Sequence, residues 1–282
     1  MASLLTACAA GPLEEARSLP DAPRPTMMPE VTHSDGEVTL EQTSGSVTPR
    51  GFGNVGHLPI QLTRLAVEQP IVSRLVFVGG TYQGAFGSPS SAQDPKVIGG
   101  NLELYGRAIW ATRTGLAFGG GLGFMLPTAQ FERGSSVNNL ARAAIALRPW
   151  DYMFFNQGIF GVRPFLDLRY IIGPVILQVR ETFDGNFDVE NKNDLDVDVV
   201  GTFFVAVRVR KDLAAGVELG ELYRITADIP DNERANWTVS PMIRLILPRL
   251  QPALSAMTNL SDPYYTGANR IWAVKTTLTA LW

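Results

Sequence analysis

The 282-residue chain has one cysteine, two histidines and charged residues at only 18%. A single cysteine excludes an internal disulfide and any zinc site built on cysteine pairs. With His33 and His57 alone, histidine-based catalysis has very few forms open to it. The net charge is -3 and the longest basic run is Arg210-Lys211, so the electrostatic footprint of a nucleic-acid-binding protein is absent. No phosphate-binding glycine loop, EF-hand or metal motif occurs, and no cofactor is implied. Long apolar runs are also missing. The one uncharged stretch with the length of a membrane helix, 114–131, carries Gly115, Gly119, Gly120, Gly121, Gly123 and Pro127, which are poor in helices. Its Leu116, Phe118, Leu122, Phe124 and Leu126 recur with period two, which predicts a strand.

The amino terminus reads differently from the rest. Leu5-Thr6-Ala7-Cys8 resembles the lipobox of bacterial lipoproteins, in which the cysteine is acylated, so Cys8 is a candidate lipidation site. Only seven residues precede it and none is basic, so a remnant of a simple signal peptide and an incidental cysteine remain open beside that reading. Residues 11–35 carry Pro12, Pro20, Pro23, Pro25 and Pro29 without periodicity, the composition of a linker. The expected division is therefore 1–35 as signal remnant or lipobox with a disordered linker, and 36–282 as the folded domain.

What the chain has in quantity is alternation. In 195–210, Leu195, Val197, Val199, Phe203, Val205, Val207 and Val209 share one face, opposite Asp196, Asp198, Thr202, Arg208 and Arg210. The same pattern recurs in 164–172, 213–225, where Glu221 breaks it, and 270–282. Such segments run to about 10 to 16 residues, well past the roughly 5 to 6 usual in soluble sheets and close to what a tilted bilayer crossing needs. The connections alternate short and long, with short turns expected at 68–70, 113, 173–174, 211–212 and 248–251. This predicts an all-β, transmembrane, antiparallel up-and-down barrel. Eleven strands are clear, closure requires an even number, and the weak pattern of 37–48 supplies a twelfth; ten is the alternative. Trp110, Tyr170, Tyr223, Trp237, Trp272 and Trp282 fall near strand ends on the lipid face, as interfacial girdles do. One short helix is expected in the longest extracellular loop, where Val137, Leu140, Ala141, Ala144 and Leu147 have helical spacing behind a Ser135 or Ser136 cap, in the barrel mouth or on its rim.

The last strand, Lys275 to Trp282, resembles the terminal signal by which bacterial outer-membrane β-barrels are recognised for insertion. Lys275 and the final Trp282 fit that pattern, Ala280 is a small substitute, and Thr277 stands where glycine is expected. The resemblance is to the porin-like superfamily and implies a bacterial outer-membrane location, a lipid bilayer environment and assembly machinery that engages this strand.

On the parity so assigned, the lumen is lined by Arg74, Glu103, Arg107, Asp167, Arg169, Arg180, Glu218, Arg224, Arg244 and Lys275, with basic groups in excess. A water-filled interior of that kind would pass small polar or anionic solutes. Two alternatives stay open: a barrel plugged by internal ion pairs, acting structurally or in surface interactions, and a carrier of hydrophobic compounds along Phe165, Ile176, Leu222, Met242 and Ile271. Enzymatic function is not expected, because His57 lies at the start of a weak strand with no serine in its local motif and His33 sits in the linker.

Overall fold

The computed structural model describes residues 36–49, 58–72, 75–88, 94–112, 115–131, 135–189, 195–226, 234–261 and 268–282. Twelve antiparallel strands close into a barrel in chain order, with β1 paired to β12. They are β1 (Glu37–Pro49), β2 (Leu58–Val72), β3 (Val76–Gly87), β4 (Lys96–Ala111), β5 (Leu116–Leu126), β6 (Ile159–Ile172), β7 (Val175–Asp188), β8 (Leu195–Arg210), β9 (Leu213–Arg224), β10 (Ala235–Leu245), β11 (Leu250–Asn259) and β12 (Ala268–Leu281). One helix, α1 (Ser135–Leu147), and a 3-10 segment, Pro149–Phe155, lie between β5 and β6. No described helix is long and apolar enough to cross a membrane.

The weak twelfth segment is a full strand. Its pattern is faint because its outward positions include Gln42 and Ser44, while inward Glu41 and Thr43 are buried. The turn expected at 68–70 is a correction: β2 continues through Pro70 to Val72, with a register shift against β3 at Pro70, and Glu68 is buried. Proline is tolerated there because the ladder is already irregular at that point. Gly173, with φ of 57°, makes the tight β6–β7 turn as expected.

The surface is inverted relative to a soluble protein. Leu65, Leu104, Phe118, Leu166, Leu168, Val205 and Leu254 are exposed around the outside, whereas Glu41, Arg107, Asp184, Asp198, Glu218 and Lys275 are buried inside. Continuous exposed apolar surface of this extent is unstable in water and is satisfied by hydrocarbon. Trp110, Tyr170 and Trp282 stand outward at the short-turn end, and Tyr223, Trp237 and Trp272 at the long-loop end. Trp110 stacks on Phe118 and Trp237 on Phe203 across neighbouring strands.

Candidate functional site: a lumen occupied by the β5–β6 segment

The longest connection does not stay at the rim. Leu140, Ala143, Ala144, Ile145, Ala146 and Leu147 of α1 are all buried, in one cluster with Val47, Ile60, Leu62, Ile98 and Ile271 of the barrel wall. Helical spacing identified α1, but its near all-round apolar character is the feature that places it inside, since a rim helix keeps a polar face. Ser135 opens the helix; its side chain and that of Ser136 lie outside the described residues. Inward glycines of the wall make the seat. A Cβ on Gly45 would come within 2.7 Å of Leu147, and one on Gly100 within 2.7 Å of the Phe154 carbonyl oxygen.

Polar contacts fix the inserted segment at three points. A bulge where β4 slips against β3 turns Asn101 inward. There its amide accepts from Ala129 N at 2.8 Å and donates to the carbonyls of Met153 and Asn156 at 2.8 and 2.7 Å, tying together both legs of the loop. Arg148 ion-pairs with Glu41 of β1 and with Asp151 at 2.6 Å, while Gln83 of β3 donates to Asp151 at 3.0 Å. Tyr152 donates its hydroxyl proton to Asp198 of β8 and accepts from Asn186 of β7. Burial alone would raise the Asp151 carboxyl, but the guanidinium groups of Arg148, Arg64 and Arg163 and the Gln83 hydrogen bond outweigh it and hold its pKa below the ordinary 3.8.

The other charged positions expected in the lumen do face inward where they are described. Arg107 pairs with Glu68 at 2.6 Å and Asp167 at 3.6 Å, Arg180 with Asp167 at 2.6 Å, Arg224 with Asp198 at 3.3 Å, and Lys275 with Glu218 at 3.6 Å. Glu103 receives Arg163 at 3.1 Å, and Arg163 also reaches Asp184 at 2.8 Å. Arg169 is fully buried, and Arg244 donates to the Gln251 carbonyl. Arg74, Cys8, His33 and His57 lie outside the described residues. The expected lining is extended in both signs: Glu37, Glu41, Glu68, Asp151 and Asp184, and with them Arg64, Arg148 and Arg163, also lie inside, and the added acids outnumber the added basic groups. Glu68 was hidden by the misplaced turn, and Asp151 belongs to a loop that carries no strand parity.

The inward glycines of β5 do not leave open space either. A Cβ on Gly121 would meet the Arg107 Cβ at 2.8 Å as well as the Phe165 ring, so that face is filled by neighbouring side chains. The inward apolar residues divide into separate packed groups: Leu222 and Ile271 in the cluster that holds the inserted segment, and Ile176 and Met242 with Phe204 and Ala206.

A different wall is left hydrophilic. Ser240 of β10, Ser255 of β11 and Thr277 of β12 face the lumen around the Lys275–Glu218 ion pair, and their hydroxyl oxygens have no hydrogen-bond partner in the protein. Below the inserted segment lies a chamber of about 50 Å³ lined by Arg64, Glu103, Tyr105, Trp150, Asp151, Arg163, Phe165 and Arg180 among others.

No protein-family model matches the sequence and no curated protein matches it. Solved structures do match in shape. The crystal structure of an outer membrane channel from Pseudomonas putida F1 superposes with a TM-score of 0.62 at 10% identity, over 90% of this chain and 97% of that one. The KdgM porin gives 0.49 at 8% identity over 86% and 99%. The translocator domain of the autotransporter NalP from Neisseria meningitidis gives 0.47 at 5% identity over 89% of each chain. The fold is that of the bacterial outer-membrane β-barrels. The apolar outer belt, the interfacial aromatics and the closed ring of strands agree with that environment at the level of individual residues.

Proposed function

We propose that this outer-membrane barrel is a channel for small polar or anionic solutes, kept shut by α1 and the 3-10 segment. The observation that carries the reading is the set of buried hydroxyls of Ser240, Ser255 and Thr277 on neighbouring strands, none with a hydrogen-bond partner in the protein. A sealed core does not keep buried hydroxyl groups without partners, because each costs about 1–3 kcal/mol, whereas a wall wetted by solvent meets that demand with water. The second supporting feature is the way the lumen is closed. Wall side chains suffice to fill a small barrel permanently, but here a loop with its own helix occupies the space and is fastened by side-chain latches that can break one by one.

The ion pairs among Glu68, Arg107, Asp167 and Arg180, with the packed groups around Ile176 and Phe77, favour a second reading, a filled structural barrel. Planar-bilayer conductance separates the two. The native protein is compared with a form in which 132–157 is replaced by a short Gly-Ser linker. Channel function predicts brief or small steps from the first and sustained larger steps from the second. A linker form that stays heat-modifiable, hence folded, yet never conducts would leave the structural reading in place.

A further inference from the structure

The chamber beneath the inserted segment holds donors that the protein does not use. Most of its charged groups are committed: Arg163 to Asp184 and Glu103, Arg180 through two hydrogen bonds of 2.6 and 2.7 Å to Asp167, and Asp151 to Arg148. Two groups are left. Arg64 stands opposite Glu41 in the β1–β2 register, but Glu41 Oε1 is taken by Arg148 of the inserted segment and by Thr43, and its Oε2 makes no hydrogen bond to Arg64. Arg64 Nε is buried without an acceptor, and among the described residues this guanidinium makes no direct ion pair, its attraction to Asp151 acting across the chamber. Trp150 is 3% exposed and its indole Nε1 also has no acceptor. Both line the same chamber.

Two unsatisfied donors, one of them on a guanidinium with no direct ion pair, call for a ligand that accepts hydrogen bonds, and a lining of Arg64, Arg163 and Arg180 against Glu103 and Asp151 favours one that carries negative charge. Water would satisfy the indole but would leave that positive excess unmet. The fork of an arginine matches the two oxygens of a carboxylate, with the indole N–H as a third donor. A chamber of about 50 Å³ limits the ligand's size, since one water needs roughly 10–15 Å³ on the same measure. We propose that Arg64 and the Trp150 indole N–H form a binding site for a small planar carboxylate of formate or acetate size. The proposal rests on the reading of the lumen as accessible to solutes, and it names the solute class.

The test uses the full chain in detergent micelles with 15N-labelled tryptophan. The chain has five tryptophans, and the Trp150 indole resonance is the one lost in Trp150→Phe. Sodium acetate replaces sodium chloride at constant ionic strength. The expected result is a saturable shift of the Trp150 resonance, weakened at least tenfold in Arg64→Gln, and no response to hexanoate, which exceeds the chamber. Arg64→Lys, which keeps the charge and loses the fork, provides a second variant if Arg64→Gln does not fold, and it too should bind more weakly. A linear, non-saturating shift, or an equal shift in both Arg64 variants, overturns the proposal. A saturable shift in a barrel that never conducts keeps the site and removes the channel reading. Conductance without any shift removes the site and keeps the channel.

Discussion

Arg148, the residue that follows α1, reaches the Glu41 carboxylate in the middle of β1, and both side chains are no more than 2% exposed. This pair joins the inserted segment to the wall far from either mouth of the barrel. Removing Arg148 strands Glu41 as a buried charge, at a cost of about 3–5 kcal/mol, whereas removing Glu41 leaves Arg148 with Asp151 alone and unfastens it from the wall. Glu41→Gln and Arg148→Gln should therefore each release the segment while the barrel remains heat-modifiable. More frequent or larger conductance steps are expected from both, and the double variant should be milder than the sum of the two because Glu41 is then no longer left as a buried charge. Unchanged conductance in all three would show that the segment is not held by this contact.

The same latch predicts a response to acid. Asp151 has a lowered pKa in the folded protein, so its ion pair contributes stability that is fully present above its ordinary value of 3.8 and is lost as the pH falls through the lower folded value. Opening should thus increase only below about pH 3.8, and Asp151→Asn should open at neutral pH. Bilayer recordings taken from pH 7 to pH 3 on both proteins check this. A native profile that already opens between pH 5 and 7 would point to a different group.

Asn101 is the anchor common to both legs of the loop, with hydrogen bonds to Ala129, Met153 and Asn156. Asn101→Ala leaves one backbone N–H and two carbonyls without that partner, each worth roughly 1–3 kcal/mol if it stays buried. The expected outcome is faster protease cleavage within 127–158, mapped by mass spectrometry, with the strands still protected. Asn101→Asp keeps the acceptor for Ala129 and loses both donors, so its cleavage rate should fall between native and alanine.

Which parts of this arrangement were legible in the sequence follows from what repeats. β8 was readable to the residue because every outward position from Leu195 to Val209 except Gly201 is a large apolar residue, while Asp196, Asp198, Thr202 and Arg208 mark the other face. β1 was faint because Gln42 faces outward and accepts from Thr63 beside it, a pairing that alternation does not anticipate. Pro70 mimicked a turn and so concealed Glu68, the partner of Arg107. The helix was readable from spacing, yet its seat depends on Gly45, Gly87 and Gly100 in three different strands, which only the closed barrel brings together. Arg148, Asp151 and Tyr152 were beyond reach for the same reason: their partners Glu41, Gln83 and Asp198 are set by the path of a loop, and no period governs a loop.

Glu221, the residue that broke the alternation of its strand, turns out to have a companion. Glu181 of β7 and Glu221 of β9 both stand opposite Gly201 of β8, and both point outward. The Glu181 carboxylate lies over the glycine, where an added Cβ would meet its oxygens at 3.2 Å. Phe183 and Tyr223, their outward neighbours along the strands, are exposed to the bilayer. Charge on the lipid face destabilises a barrel, by about 2–4 kcal/mol for a midplane arginine or lysine and less for a carboxylate. Glu181→Leu should accordingly raise the urea midpoint in liposomes by the equivalent of about 1 kcal/mol. Glu221→Leu added to it should gain less than it does alone, because the first substitution already removes the repulsion between the two. A fall in the midpoint on either substitution would instead mean that these carboxylates are engaged by something outside the barrel, and crosslinking at Glu181 would then be the way to find it.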